Sequence, residues 1–395
     1  MKIVFTHLDF NAYFPLRLRH FQNFLKERNI ELFIIEVLGK PVLYDFDQDG
    51  KSDLNIECLL PQYTYDNVPI KQIHKSLLKR LDEINPDVIF AGAIAFPPAA
   101  AALKWAKHHD KGIILFNNTH LNTFDRNALN RIVKKQLLHC VDAFFCPSPS
   151  YDETLAYWGF KKEQIFYGLN VTDNSFWNAS VVNKDFSFLP QEYFITISRQ
   201  VPFKNLSFLL KAYKQYIREG GRIPLVMVGD GPDHESLVHL ADKDERIIFL
   251  PFLPYSKLKQ VMSQAKALYL PSFKMESWGM VVNEAMASGK IVTVSTECGC
   301  CDTLVQEGVN GYVFSPYDMG KIVKTMHAIG ALSVQKQREM EKASLNIIAD
   351  WDVDRFSEGC FNAAQYVLTN RKRMSFLERM MVNLWKGRLR SQQRI

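Results

Sequence analysis

PSFKMESWGMVVNEAMASG, residues 271–289, is the stretch on which the fold of this chain turns. The apolar run Ala267 to Pro271 ends in Pro-Ser, Glu276 stands in the following loop, and Gly279 opens a helical stretch that carries Glu284 more than a turn inside. The first N–H groups of a helix lack intrahelical partners and carry partial positive charge. Those of Gly279, Met280 and Val281 therefore suit a diphosphate. Carboxylates repel phosphate and pair naturally with hydroxyl groups, so Glu276 at the helix mouth suits a transferred sugar and Glu284 a ribose. Spacing alone reads equally as a solvated Glu276 and a Glu284 that merely favours helix. The position directly after a strand and Pro-Ser favours the first reading.

On either side of this stretch, short β-branched runs alternate with amphipathic segments from the first residue to about Asp350. This is the pattern of parallel sheets flanked by helices. The first series of expected strands is Lys2 to His7, Glu31 to Val37, Asp87 to Ala93, Gly112 to Asn117, Ala143 to Cys146 and Ile165 to Leu169. A second runs Tyr193 to Ser198, Pro224 to Gly229, Ile247 to Pro251, Ala267 to Pro271, Ile291 to Ser295 and Gly311 to Phe314. Between them Val171 to Gln191 has no clear period. The expected organisation is α/β: a Rossmann-like domain over 1–172, a linker over 173–191, a second Rossmann-like domain over 192–350, a cleft between the two, and over 351–395 a helix that crosses back to the first domain followed by a basic amphipathic tail. Ligands of open α/β sheets sit at the carboxyl ends of the strands, which gives residues just after strands most weight.

Three such positions add to the site. Arg199 and Lys204 follow the Tyr193 strand; a planar fork and a point charge together suit a diphosphate leaving group without a metal, although taken alone the pair reads better as solvated surface cations. Gly229 in Gly229-Asp230-Gly231 permits a tight turn and close approach of backbone to ligand. Phe252 and Leu253, after the Ile247 strand, are the expected neighbours of the nucleotide base. No G-x-G-x-x-G, G-x-x-x-x-G-K-[ST] or G-x-S-x-G follows any strand, which argues against an NAD-dependent dehydrogenase, a P-loop enzyme and a serine hydrolase.

Composition sets the remaining bounds. With 47% hydrophobic and 23% charged residues over 395 positions, two globular domains are expected. The start MKIVFTHLDF is strand-like and not a signal peptide, and Val88 to Leu103 is too short and too proline-interrupted to span a membrane, which points to the cytoplasm. Seven cysteines do not make a disulfide framework. Cys298, Cys300 and Cys301 lack a second ligand pair with zinc spacing and read as a tight loop of small residues. The net charge of +6 lies in the tail, where residues 371–395 hold eight Lys or Arg against one Glu. There Met374, Leu377, Met381, Leu384 and Trp385 recur at helical spacing among Arg373, Arg379, Lys386, Arg388 and Arg390. Such a helix packs its stripe on the first domain or lies on an anionic membrane at the inner face of the plasma membrane; packing is the preferred expectation. No nucleic-acid motif accompanies the charge.

In order, Arg199 with Lys204, Gly229-Asp230-Gly231, the 271–289 segment, the Cys298-Gly299-Cys300 loop and Gly308-Val309-Asn310-Gly311 resemble the second domain of glycosyltransferase family 4, which has the GT-B fold. The resemblance covers Tyr193 to Phe314. It implies transfer from a nucleoside-diphosphate sugar of UDP or GDP type, retention of anomeric configuration and no divalent cation. Arg199 and Lys204 would then hold the diphosphate, Glu276 the donor sugar and Glu284 the ribose, with the departing phosphate oxygen taking the acceptor's proton. His120, after the Gly112 strand, matches a histidine that such enzymes often place near the donor sugar, and reads equally as a plain loop residue. The usual glycine pair after the first strand is replaced by His7-Leu8-Asp9-Phe10-Asn11. The expected acceptor is a glycan or lipid-linked glycan, as in surface polysaccharide or lipopolysaccharide synthesis. A sugar-nucleotide epimerase or a non-catalytic sugar-nucleotide-binding protein of the same fold are the alternatives.

Overall fold

The computed structural model describes residues 1–11, 13–39, 54–121, 123, 127–180 and 185–389. They form two compact units. The first takes the chain up to Asn118, most of the chain from there to Val171, and the described chain from Val353 onward; the second takes the stretch around His120 together with Thr172–Asp352. His120, expected in the first domain, thus groups with the second.

The first unit is built on seven strands, β1 (Lys2–His7), β2 (Glu31–Glu36), β3 (Ile56–Cys58), β4 (Val88–Ala91), β5 (Gly112–Phe116), β6 (Ala143–Cys146) and β7 (Ile165–Tyr167), in the order β3-β2-β1-β4-β5-β6-β7. The second has β8 (Tyr193–Ile197), β9 (Leu225–Val228), β10 (Ile247–Leu250), β11 (Ala265–Leu270), β12 (Ile291–Ser295) and β13 (Gly311–Phe314), ordered β10-β9-β8-β11-β12-β13. Every pairing is parallel, from Lys2 beside Glu31 to Ser295 beside Phe314. Strands covered on both faces are apolar throughout, which is why VIFA, AFFC and LVMV are wholly buried. Both sheets reverse their order beside the first strand of the unit, β1 in one and β8 in the other, and the loops at that reversal are where ligands of such sheets lie.

In the first unit Phe5 on β1 stacks on Phe90 of β4, ring centroids 4.3 Å apart, and meets Phe21 edge-on at 5.9 Å. Phe356 of the helix Val353–Thr369 joins this cluster, seating that helix on the sheet. In the second unit Phe194, Tyr213, Tyr216 and Tyr269 form the aromatic centre of the core.

Three features depart from expectation. β3 is a three-residue edge strand that carries no alternation to read. β11 begins two residues early because Lys266, only 7% exposed, reaches Glu192 at 2.9 Å, so a charged residue sits inside a buried strand. The stretch expected as a linker holds a packed helix, Asn174–Asn178, capped by Asp173 accepting from the Phe176 N–H, with Trp177 buried.

The tail departs as well. A helix runs over Phe376–Leu384, capped by Ser375 with Glu378, and belongs to the first unit. Its inward contacts are Val382 and Trp385, whose indole donates to the Ile94 carbonyl at 2.8 Å. Leu377 and Leu384, expected in the packed stripe, stay 66% and 72% exposed. Arg390 lies outside the described residues. Among the described residues, no helix is long and apolar enough to cross a membrane.

Candidate functional site

The second unit gathers its strand-end loops by backbone bonds that leave little freedom. Beyond β8, Ser198 N–H donates to the Val228 carbonyl at 3.1 Å, and Gln200 donates from its N–H to Asp230 and from its side chain to the Gly229 carbonyl, both at 2.8 Å. Gly229 N–H in turn donates to the Leu250 carbonyl at 3.0 Å. The ends of β8, β9 and β10 are thereby tied. Gly229 has φ +126°, and a Cβ there would stand 2.1 Å from the Ser198 carbonyl oxygen, so only glycine fits. Gln200 is 1% exposed and makes the tie; the sequence signal for it is its place two residues after Ser198, at a strand end.

The loop after β8 also carries Arg199, half-buried, and a 3-10 turn over Pro202–Lys204. Asn205 ends the turn at φ +55°, a value Asn tolerates, and its buried amide donates to the carbonyls of Pro271 at 3.2 Å and Pro316 at 2.9 Å. Phe273 N–H donates to the Phe203 carbonyl at 2.8 Å. These bonds hold the loop after β8 against the loop after β11. Lys204 Nζ and Glu276 Oε2 form an ion pair there, their side chains 15% and 13% exposed, and the Ser272 hydroxyl donates to the same carboxylate oxygen at 3.2 Å. Ser272 carries no signal in the sequence beyond its place directly after a strand.

The Glu276 loop is braced from the other side. Gly299 N–H donates to the Glu276 carbonyl and Cys300 N–H to that of Trp278, both at 3.1 Å, and the buried Trp278 indole donates to Asn283 at 2.8 Å. Gly279 lies at φ +100°, where a Cβ would stand 2.7 Å from Leu270 Cδ2. The helix Met280–Ala287 starts there, with Met280 and Val281 as its first residues and Glu284 in its middle, 2% exposed. Cys298 and Cys300 are fully enclosed, and burial pushes both thiols well above their ordinary value. They pack as neutral groups, and among the described residues no three His, Cys, Asp or Glu side chains converge as a metal-binding group.

Two candidates lie outside this tight constellation. His120 is half-buried, and burial lowers its pKa while the charge of Asp302 partly offsets the effect. Phe252 follows β10 and is 57% exposed, and the Gly229 to Leu250 bond joins the end of β10 to the loop after β9. The structure thus brings Lys204, Ser272, Glu276 and Gly279 together through the loops after β8 and β11, with Arg199 on the loop after β8 and Glu284 deeper in the helix that Gly279 opens. Chemically this is a cation paired with a carboxylate, between loops tied by backbone bonds, at the carboxyl edge of a parallel sheet.

Residues 182–345 match the family Glycosyl transferases group 1. The chain is 30% identical over 120 residues to the uncharacterized glycosyltransferase YqgM of Bacillus subtilis, covering 30% of this chain and 33% of the relative. It is 29% identical over 163 residues to the D-inositol 3-phosphate glycosyltransferase of Nocardia farcinica, covering 39% of this chain and 35% of the relative. The chain therefore spans about a third of the length of these relatives. HepE of Anabaena, solved in complex with UDP, superposes over 91% of this chain and 98% of its own with a TM-score of 0.72 at 17% identity. At that identity the likeness is one of fold: the two parallel-sheet units are of the GT-B type, and the second is similar in sequence to group 1 glycosyl transferases.

Proposed function

We propose that the chain is a glycosyltransferase of the retaining kind, which moves a sugar from a nucleoside-diphosphate sugar to a glycan or lipid-linked glycan. The observation that carries this reading is the Lys204–Glu276 pair, held between two strand-end loops by backbone bonds, with Arg199 in the same loop after β8. Departure of a nucleoside diphosphate leaves growing negative charge on the phosphate oxygens. Fixed cations at that point stabilise the transition state more than the ground state. Arg199 and Lys204 serve there, together with the first N–H groups of the helix that starts at Met280.

On donor binding the pair exchanges partners: Lys204 turns to the diphosphate and Glu276 accepts from sugar hydroxyls, with Ser272 keeping the carboxylate in place. Glu284, buried deeper, accepts from the ribose, and Gly229 and Phe252 border the base. The acceptor hydroxyl attacks the anomeric carbon on the face from which the phosphate leaves. The carbon–phosphate-oxygen bond breaks as the new glycosidic bond forms, and the acceptor's proton passes to the departing phosphate oxygen. Neutral His120 sits by the donor sugar as a hydrogen-bonding group. The protein works in the cytoplasm. HepE's UDP makes uridine diphosphate the first donor type to try, with guanosine diphosphate second.

Donor turnover tests this. Lys204→Ala and Glu276→Ala are each expected to lose most sugar transfer while keeping the wild-type circular dichroism spectrum. Unchanged rates in both variants would remove the site assignment.

A further inference from the structure

The helix Phe376–Leu384 carries apolar residues on two opposite faces. Its inner face is pinned: Val382 is 1% exposed, the Trp385 indole donates to Ile94, the His74 ring donates to the Lys386 carbonyl at 2.9 Å, and Arg388 N–H donates to the Ala95 carbonyl at 2.8 Å. The helix cannot roll without breaking these bonds. Its outer face holds Phe376, Leu377, Met380 and Leu384, exposed by 81%, 66%, 47% and 72%. At 3.6 residues per turn all four lie on one side, where a helix of a globular protein normally places polar residues.

The neighbouring helix Ala128–His139 extends this patch. His139 bonds Glu378 at 2.6 Å, and Leu129 and Ile132, on the same stripe as His139, are 69% and 59% exposed. Cations surround the apolar residues: Arg131 and Lys135 on that helix, and Arg373, Arg379, Lys386 and Arg388 on and beside the other, are all exposed. Among the described residues the last four form no ion pair, and Glu378 is occupied by Ser375 and His139.

We propose that this face of the first unit docks on an anionic lipid bilayer, its apolar side chains entering the acyl boundary and its cations meeting the headgroup phosphates. Charge complementarity selects this partner over a second copy of the chain, which would bring an equally basic rim against it. The contact is independent of what the second unit transfers.

Co-sedimentation of the full-length chain with vesicles tests it, comparing phosphatidylcholine alone with phosphatidylcholine containing a third phosphatidylglycerol. Binding is expected to the mixed vesicles only, weakening with added salt, and about tenfold or more weaker for the triple variant Phe376→Ser, Met380→Ser, Leu384→Ser. These side chains point outward, so the variant should keep the wild-type melting temperature. The double variant Arg373→Gln, Arg379→Gln should weaken binding severalfold on its own. Equal sedimentation of wild type and triple variant would overturn the proposal. So would absence of wild-type binding, or a wild-type dimer that the triple variant converts to monomer without any vesicle binding.

Discussion

Lys204 and Glu276, 72 residues apart in the chain, are joined as an ion pair between the loops that follow β8 and β11. The two members are coupled, so each single substitution should also disturb the partner's job. The double variant Lys204→Ala, Glu276→Ala is expected to lose little more activity than either single variant, each of which should lower kcat about a hundredfold or more. Multiplying losses in a double-mutant cycle on kcat would mean that the two act separately.

Gly279 starts the helix that carries Glu284, at φ +100° and against Leu270. Gly279→Ala should destabilise the protein by about 1–3 kcal/mol and disturb the helix start with it. Urea titration measures this; a loss below about 0.5 kcal/mol would mean that the loop relaxes freely around a side chain.

Glu284 is buried while Glu276 stands at the helix mouth, so the two carboxylates should separate kinetically. Glu284→Gln should weaken nucleoside diphosphate about tenfold, by loss of charged acceptors, with a smaller effect on kcat. Calorimetric titration with the free nucleotide checks it; unchanged nucleotide affinity would take the ribose role from Glu284.

His7 and His120 both have pKa values lowered from 6.5, burial being the largest cause in each. Below pH 6.5 the unfolded chain takes up protons at these positions before the native state does. Stability should therefore be flat above that pH and fall as pH drops from 6.5 toward the lowered native values. Urea midpoints across this window should show the decline, and His7→Gln should make it shallower. An unaltered slope in that variant would mean that His7 contributes nothing to the pH dependence.

Much of this architecture is legible in the chain because buried parallel strands are apolar without interruption. Ala143–Cys146, Ile291–Ser295 and Gly311–Phe314 fall where the sequence places them, and most other strands differ by a residue or two at their ends. The misses have physical reasons. Ile56–Cys58 is too short to carry a period, and Lys266 hides a strand start because its partner Glu192 is invisible in local sequence. Asn174–Asn178 is only five residues long, too short to show a period, and is held by tertiary contacts, Asn174 donating to the Ile348 carbonyl at 2.8 Å. Around the site, Arg199, Lys204 and Glu276 can be picked out as charges after strands. The tie made by Gln200 and the support of Ser272 depend on which loops meet, and that is set by strand order.

The second unit is proposed to hold a nucleoside-diphosphate sugar through Lys204 and Glu284. The most direct measurement is thermal stabilisation by UDP, GDP, ADP and CMP, then by sugars of the best binder, for wild type and for Lys204→Ala. A ligand that binds the native state raises its melting temperature. One diphosphate, UDP first among them, should raise the wild-type midpoint by several degrees and leave Lys204→Ala nearly unshifted. No shift with any of the four, or an equal shift in the variant, would contradict the account.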